Sequence, residues 1–160
     1  TLDGSKRHRC GTLKSVGSAI EREIAVNLEY FLISVGTNDT DTKNPEAIYD
    51  EYESLILLLR QKYPAIKIII SELPPRKHKK EEVVIEVNRL LGDLCKCTSN
   101  DFIFLVDHSN LRDETYSTMF DDKHIHRRSV PRFAGNIKRA LRLAYGLSEP
   151  IKRDKKTHHP

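Results

Sequence analysis

Tyr30-Phe31-Leu32-Ile33-Ser34-Val35-Gly36-Thr37-Asn38-Asp39 is an apolar, β-rich run that breaks abruptly into a glycine and polar side chains. It reads as a buried strand delivering a loop. In open α/β sheets ligands bind at the carboxyl ends of the strands, which sets Asn38 and Asp39 on the functional edge.

The flanking segments follow one alternation. Upstream, Leu13, Val16, Ile20 and Ile24 fall on one helical face with Glu21, Arg22 and Glu23 opposite, starting at Thr12. Downstream, Asn44-Pro45-Glu46 is a helix start: a side-chain cap, a proline pre-set for the first turn and an acid near the positive end of the dipole. Ile48, Tyr52, Leu55 and Leu59 line that helix until Tyr63-Pro64 stops it. Ile66 to Ile70 is a second strand, emptying into Ser71-Glu72-Leu73-Pro74-Pro75-Arg76 on the same edge. Glu81 and Glu82 open a helix with the face Val83, Val87, Leu90, Leu91 and Leu94; Phe102 to Val106 is a third strand ending at Asp107; a polar loop runs from His108 to about Phe120. A last helix begins near Ser129-Val130-Pro131 and buries Phe133, Ile137, Ala140, Leu141 and Ala144. Strand, helix, strand, helix, strand, helix with long crossovers predicts a parallel sheet covered on both faces, a three-layer α/β/α sandwich.

The chain has 160 residues and a formal charge of +4, with an isoelectric point near 8.9. That size and composition fit one soluble domain. Residues 1–11 read as a basic loop or the remnant of a missing βα unit, 12–146 as the domain, and 147–160 as a basic disordered tail. Because the chain opens on Thr1 with no complete first unit before the Tyr30 strand, the expectation is an N-terminally truncated sheet. No apolar run is long enough for a membrane span or a signal peptide. Cys10, Cys95 and Cys97 imply neither a disulfide framework nor a zinc knuckle, which points to a reducing, cytoplasmic setting with Cys95 and Cys97 as thiols near a core face.

The chemistry gathers in Asp121-Asp122-Lys123-His124-Ile125-His126. Asp121 and His124 are three apart, so in a tight turn the carboxylate accepts from one imidazole nitrogen and leaves the other as a base. Asn38 suits an oxyanion donor, a role that contributes about 3 kcal/mol in hydrolases; it equally suits a cap for the turn after its strand. Asp121, His124 and His126 form an alternative, metal-ligand set. Arg76, Lys77, Lys79 and Lys80 form a basic cluster at a strand exit, suited to a substrate carboxylate or nucleic-acid phosphate, although no aromatic residues interleave with it for base stacking. Ser71, at the end of the second strand, reads as structural, and His108 as part of the exit loop.

Gly36-Thr37-Asn38-Asp39 resembles the G-x-N-D block, and Asp121-Asp122-Lys123-His124 the D-x-x-H block, of the SGNH (GDSL-like) hydrolases. Phe133-Ala134-Gly135-Asn136-Ile137 is similar to the helix after the histidine in that family. Leu73-Pro74-Pro75-Arg76 and Glu86-Val87-Asn88 resemble the versions attached to non-LTR retrotransposons. The resemblance covers about Thr12 to Leu143. It implies a flavodoxin-like fold and hydrolysis of a small ester or acylated substrate by Ser-His-Asp chemistry, with no cofactor or metal. His124 would be the base, Asp121 its orienting partner, and Asn38 and the backbone N–H of Gly11 the oxyanion donors. The family's nucleophile lies in a G-D-S block closing the first strand. Asp3-Gly4-Ser5 has those letters in another order and too few residues before it for a strand, so the expectation is a chain without its nucleophile, inactive as it stands. The alternative is a non-catalytic retrotransposon-derived module that binds RNA or protein.

Overall fold

A computed structural model of the chain describes residues 9–23, 27–97, 102–112 and 115–147. The expected places of Ile24, of Asp3-Gly4-Ser5 and of the 148–160 tail lie outside them. The elements are α1 (Leu13–Arg22), β1 (Tyr30–Ile33), α2 (Pro45–Lys62), β2 (Lys67–Ser71), α3 (Glu81–Cys97), β3 (Ile103–Val106), a single turn α4 (Thr115–Thr118) and α5 (Val130–Ala144). Among the described residues the sheet has three parallel strands in the order β1-β2-β3, with Leu32 opposite Ile69 and Ile69 opposite Phe104.

The alternation of β2 divides the core. Ile68 and Ile70 face the cluster built by α1, α2 and α3, whereas Ile69 turns to Val106, Ala140 and Ala144 beneath α5. Both faces of the sheet are thus covered by helices, which a parallel sheet requires. The expected face of α2 is the observed one: Ile48, Tyr52, Leu55 and Leu59 are all buried. Its cap is as read, the Asn44 side chain accepting from the Ala47 N–H at 2.8 Å.

Two helices present expected apolar residues to the core, Val83, Val87, Leu91 and Leu94 on α3 and Ile137, Ala140, Leu141 and Ala144 on α5, and each also buries an asparagine that the spacing did not assign to its face. On α3 the buried set is Val84, Val87, Asn88 and Leu91. The Asn88 amide accepts from the Leu73 N–H (2.8 Å) and donates to the Leu73 carbonyl (2.9 Å), which turns the helix toward the β2 exit. On α5 the buried set is Asn136, Ala140 and Ala144. There Asn136 serves His108, which is fully buried and not a surface loop residue. Cys97 is exposed and Cys95 half-buried.

His108 sits in a closed polar network. Asn136 Nδ2 lies 2.9 Å from its Nδ1, and its Nε2 lies 3.0 Å from Ser71 Oγ, whose hydroxyl donates to the Glu72 carbonyl at 3.1 Å. The Asn136 amide can only donate to Nδ1, so the proton is on Nε2 and points at Ser71. Phe133 stacks on the ring at a centroid distance of 4.3 Å. Burial drives the imidazole down to about 4 and keeps it neutral.

The strand-to-loop break at Gly36 is a steric requirement. Its φ is +124°, and a Cβ there would lie 2.9 Å from Leu73 Cδ2 and 3.1 Å from the Tyr52 hydroxyl, which donates to the Val35 carbonyl at 2.5 Å. Gly36→Ala is expected to cost about 3 kcal/mol, combining a left-handed backbone with overpacking; urea unfolding at neutral pH measures it. His108 makes a second prediction. Between its unfolded value of 6.5 and its folded value of about 4, the unfolded chain binds a proton that the folded chain excludes. Stability therefore falls as pH drops through that window, by about 3 kcal/mol from this group. His108→Gln flattens the slope of unfolding free energy between pH 6.5 and 4.

Candidate active site

The candidate residues reach the carboxyl edge of the sheet from two sides. On the first, Thr37 and Asn38 form a turn after β1, and Asp39–Asp41 continue it as one 3-10 turn. Asp39 is buried at 2% exposure. Its carboxylate accepts from the Leu13 N–H, the first of α1, at 3.0 Å and pairs with Lys43 at 2.8 Å. An acid at a helix N-terminus satisfies an orphan donor and meets the positive end of the dipole. The consequence is local: α1 is pinned against the β1 exit, and Gly11 comes to rest beside Asn38. Asn38 Nδ2 donates to the Gly11 carbonyl at 3.0 Å, and Asn38 is exposed.

On the second side, residues 118–126 form a tight hairpin. Met119 and Ile125 make an antiparallel bridge, the Phe120 N–H donates to the His124 carbonyl at 2.7 Å, and the His126 N–H donates to the Thr118 carbonyl at 2.7 Å. At its tip Asp121 holds the turn with both oxygens. Oδ1 accepts from the Lys123 and His124 N–H groups at 2.7 and 2.8 Å, and Oδ2 lies 2.8 Å from His124 Nδ1. Those bonds, the imidazole first, hold the Asp121 carboxyl down at about 2. The His124 side chain is 75% exposed, so Nε2 is left to a partner from solution. Among the described residues no hydroxyl bonds to it.

The two sides are joined through Arg76, from the β2 exit. Its Nη1 donates to Thr40 Oγ1 and Asp41 Oδ1, both at 2.8 Å, and its Nη2 pairs with Asp122. Lys123 closes the circuit by pairing with Asp41, whose carboxyl is held down to about 2 by Lys123 first and Arg76 second. Lys80 Nζ donates to the Thr40 carbonyl at 3.0 Å. Within the basic cluster Arg76, Lys77, Lys79 and Lys80, two members turn inward: Arg76 is 2% exposed and committed to two carboxylates, and Lys80 is tied to the same loop.

The metal-ligand set is also revised. His126 turns its Nδ1 to accept from the Arg128 N–H at 3.1 Å, capping the turn before α5. Among the described residues no three His, Cys, Asp or Glu side chains converge as metal ligands. Ser71 is 1% exposed and faces the protonated nitrogen of His108, the wrong polarity for a nucleophile awaiting a base. The contact of Asp121 with His124 was anticipated from sequence; the contact of Asn38 with the Gly11 carbonyl was not. Nor were Asp39, Asp41, Asp122, Lys123 and Arg76 as their supports.

Among the described residues no helix is long and apolar enough to cross a membrane. The sequence matches no protein-family model and no curated protein. The fold does have relatives among solved structures. A lipolytic G-D-S-L family protein from Veillonella parvula superposes with a TM-score of 0.70 at 17% identity over 81% of this chain and 74% of that one. An acetyl esterase solved with an acetate ion gives 0.64 at 17% identity over 75% of this chain. The chain spans only 60% of that esterase's length. The esterase domain of the ORF1 protein from the zebrafish ZfL2-1 retrotransposon gives 0.54 at 28% identity, over 68% of this chain and 70% of that domain. With its parallel sheet sandwiched between helices, the chain has the α/β fold of the GDSL/SGNH esterases, among them the esterase domain of a retrotransposon ORF1 protein.

Proposed function

We propose that this chain supplies the base and oxyanion groups of an SGNH-type hydrolase acting on a small carboxylic ester. The observation that carries the proposal is the Asp121–His124 pair, at 2.8 Å, with a carboxylate that stays ionised and an outward-facing Nε2. Asp121 fixes the Nδ1–H tautomer and stabilises the imidazolium that forms when Nε2 takes a proton from an attacking hydroxyl. That hydroxyl adds to the ester carbonyl. Nε2–H then returns the proton to the departing alcohol, and water repeats the cycle to release the acid. In this reading the Asn38 amide and the Gly11 N–H are the donors to the oxygen that becomes negative; in the resting state the Asn38 amide donates to the Gly11 carbonyl.

The serine that attacks is not Ser71, and the 160-residue chain by itself is proposed to form no acyl-enzyme. The test is hydrolysis of p-nitrophenyl acetate by a form extended at its N-terminus with a designed strand ending in Gly-Asp-Ser. In that form His124→Ala is expected to lower kcat about 10³-fold or more, and Asn38→Ala about 10²-fold, with far-UV circular dichroism unchanged. Undiminished turnover in His124→Ala overturns the base assignment. A burst of p-nitrophenol from the 160-residue chain overturns its inactivity.

A further inference from the structure

Arg76 is the largest of the fully buried side chains, and it is a charged one. A buried guanidinium is costly unless its donors are matched, and here both ends of its fork are used on different loops while Nε is left without a partner. Nη1 serves the loop after β1 through Thr40 and Asp41, and Nη2 serves the hairpin through Asp122. Asp41 lies three residues beyond Asn38, and Asp122 lies two before His124. The planar fork therefore spans the two halves of the site, and the Lys123–Asp41 pair repeats the link from the other direction. Neither Asp41 nor Asp122 is buried: their side chains are 32% and 42% exposed. Both carboxylates keep part of their surface in solvent, and Asp122 Oδ1 is enclosed without a hydrogen-bond partner, so Arg76 is what compensates the inner side of Asp122.

We infer that Arg76 is a positioning residue, a latch that sets His124 against Asn38 by clamping Asp122 to Asp41. This rests on the hydrolase reading for its purpose, but not for its existence. Arg76 touches no reacting atom. It acts by holding the hairpin that carries the base at a fixed distance from the loop that carries the donor, and preorganisation of that kind is what a catalytic constellation needs. A lysine cannot replace it, because one ammonium is a point charge that does not reach both carboxylates in a fixed plane.

The experiment is amide hydrogen exchange by NMR on the 160-residue chain, in wild type, Asp122→Asn, Arg76→Gln and the double variant. Lys123 and His124 report the hairpin, because their N–H groups are held by Asp121; Leu59 and Ile69 report the core. Exchange at Lys123 and His124 is expected to rise about tenfold in each single variant with the core amides unchanged, and the double variant to exceed neither single one. Unchanged hairpin exchange in Asp122→Asn, which leaves Arg76 buried and the core intact, overturns the latch. Equal acceleration of hairpin and core in Arg76→Gln also overturns it, since Arg76 would then be a general stabiliser. In the serine-bearing form Arg76→Lys is expected to lower kcat about tenfold while KM changes less than about twofold. If that form hydrolyses no ester, the base assignment fails and the exchange result stands independently.

Discussion

The arrangement depends first on one buried carboxylate. Asp39 accepts from the first N–H of α1 and pairs with Lys43, which in turn pairs with Glu51 on α2. Three pieces of chain far apart in sequence are thereby fixed to a single point just beyond β1. Hydrogen bonds to a charged group contribute about 1.5–3 kcal/mol each when well formed, and stranding a buried carboxylate costs more. The acid after Asn38 is therefore structural in its contacts. It sets where α1 begins, and so where Gly11 lies relative to Asn38. Gly36 performs the complementary task, because only a residue without a Cβ turns the chain so sharply against Leu73 and Tyr52.

From that point the electrostatics are layered by burial. The innermost charged groups, Asp39 and Arg76, are matched by partners that are themselves partly exposed. This arrangement avoids the full penalty of a completely dry ion pair while using the strength of one desolvated end. The outermost pair, Asp121 and His124, is open to water, and its value lies in geometry and not in stability, since exposed pairs contribute little. Asp122 and Lys123, neighbours at the tip of the turn, tie the hairpin to Arg76 and Asp41 as well as to its own Asp121.

Much of the fold was legible because apolar periodicity is a local property. The α2 face, the Asn44 cap, the three strands and the order of helices were read from spacing alone, and all are present. The apolar residues of the α3 and α5 faces were read from the same spacing, but Asn88 and Asn136, which take core positions beside them, were not. A polar residue in a buried slot is legible only when its partner is known, and those partners, the Leu73 backbone and His108, lie 15 and 28 residues away. The same limit governs the site. Asp121 with His124 is a short-range pair and was visible. Arg76 with Asp122, 46 residues apart, was not: in a run of arginine and lysines, the one that turns inward looks like those that stay outside.

The two histidines on this edge show how environment divides one side chain into two roles. His108 has both nitrogens occupied by Asn136 and Ser71, an aromatic lid in Phe133 and no contact with water, so it stays neutral and inert near pH 7. His124 has one nitrogen on a carboxylate and the other free, on a turn that projects from the edge. What separates them is the direction of the proton. Ser71 receives the Nε2–H of His108, which makes that pair a structural donor and acceptor. Asp121 receives the Nδ1–H of His124, which leaves a lone pair on Nε2 directed at solution. The base proposed for ester chemistry needs the second arrangement, and among the described residues His124 has it, on the hairpin whose Asp122 pairs with Arg76.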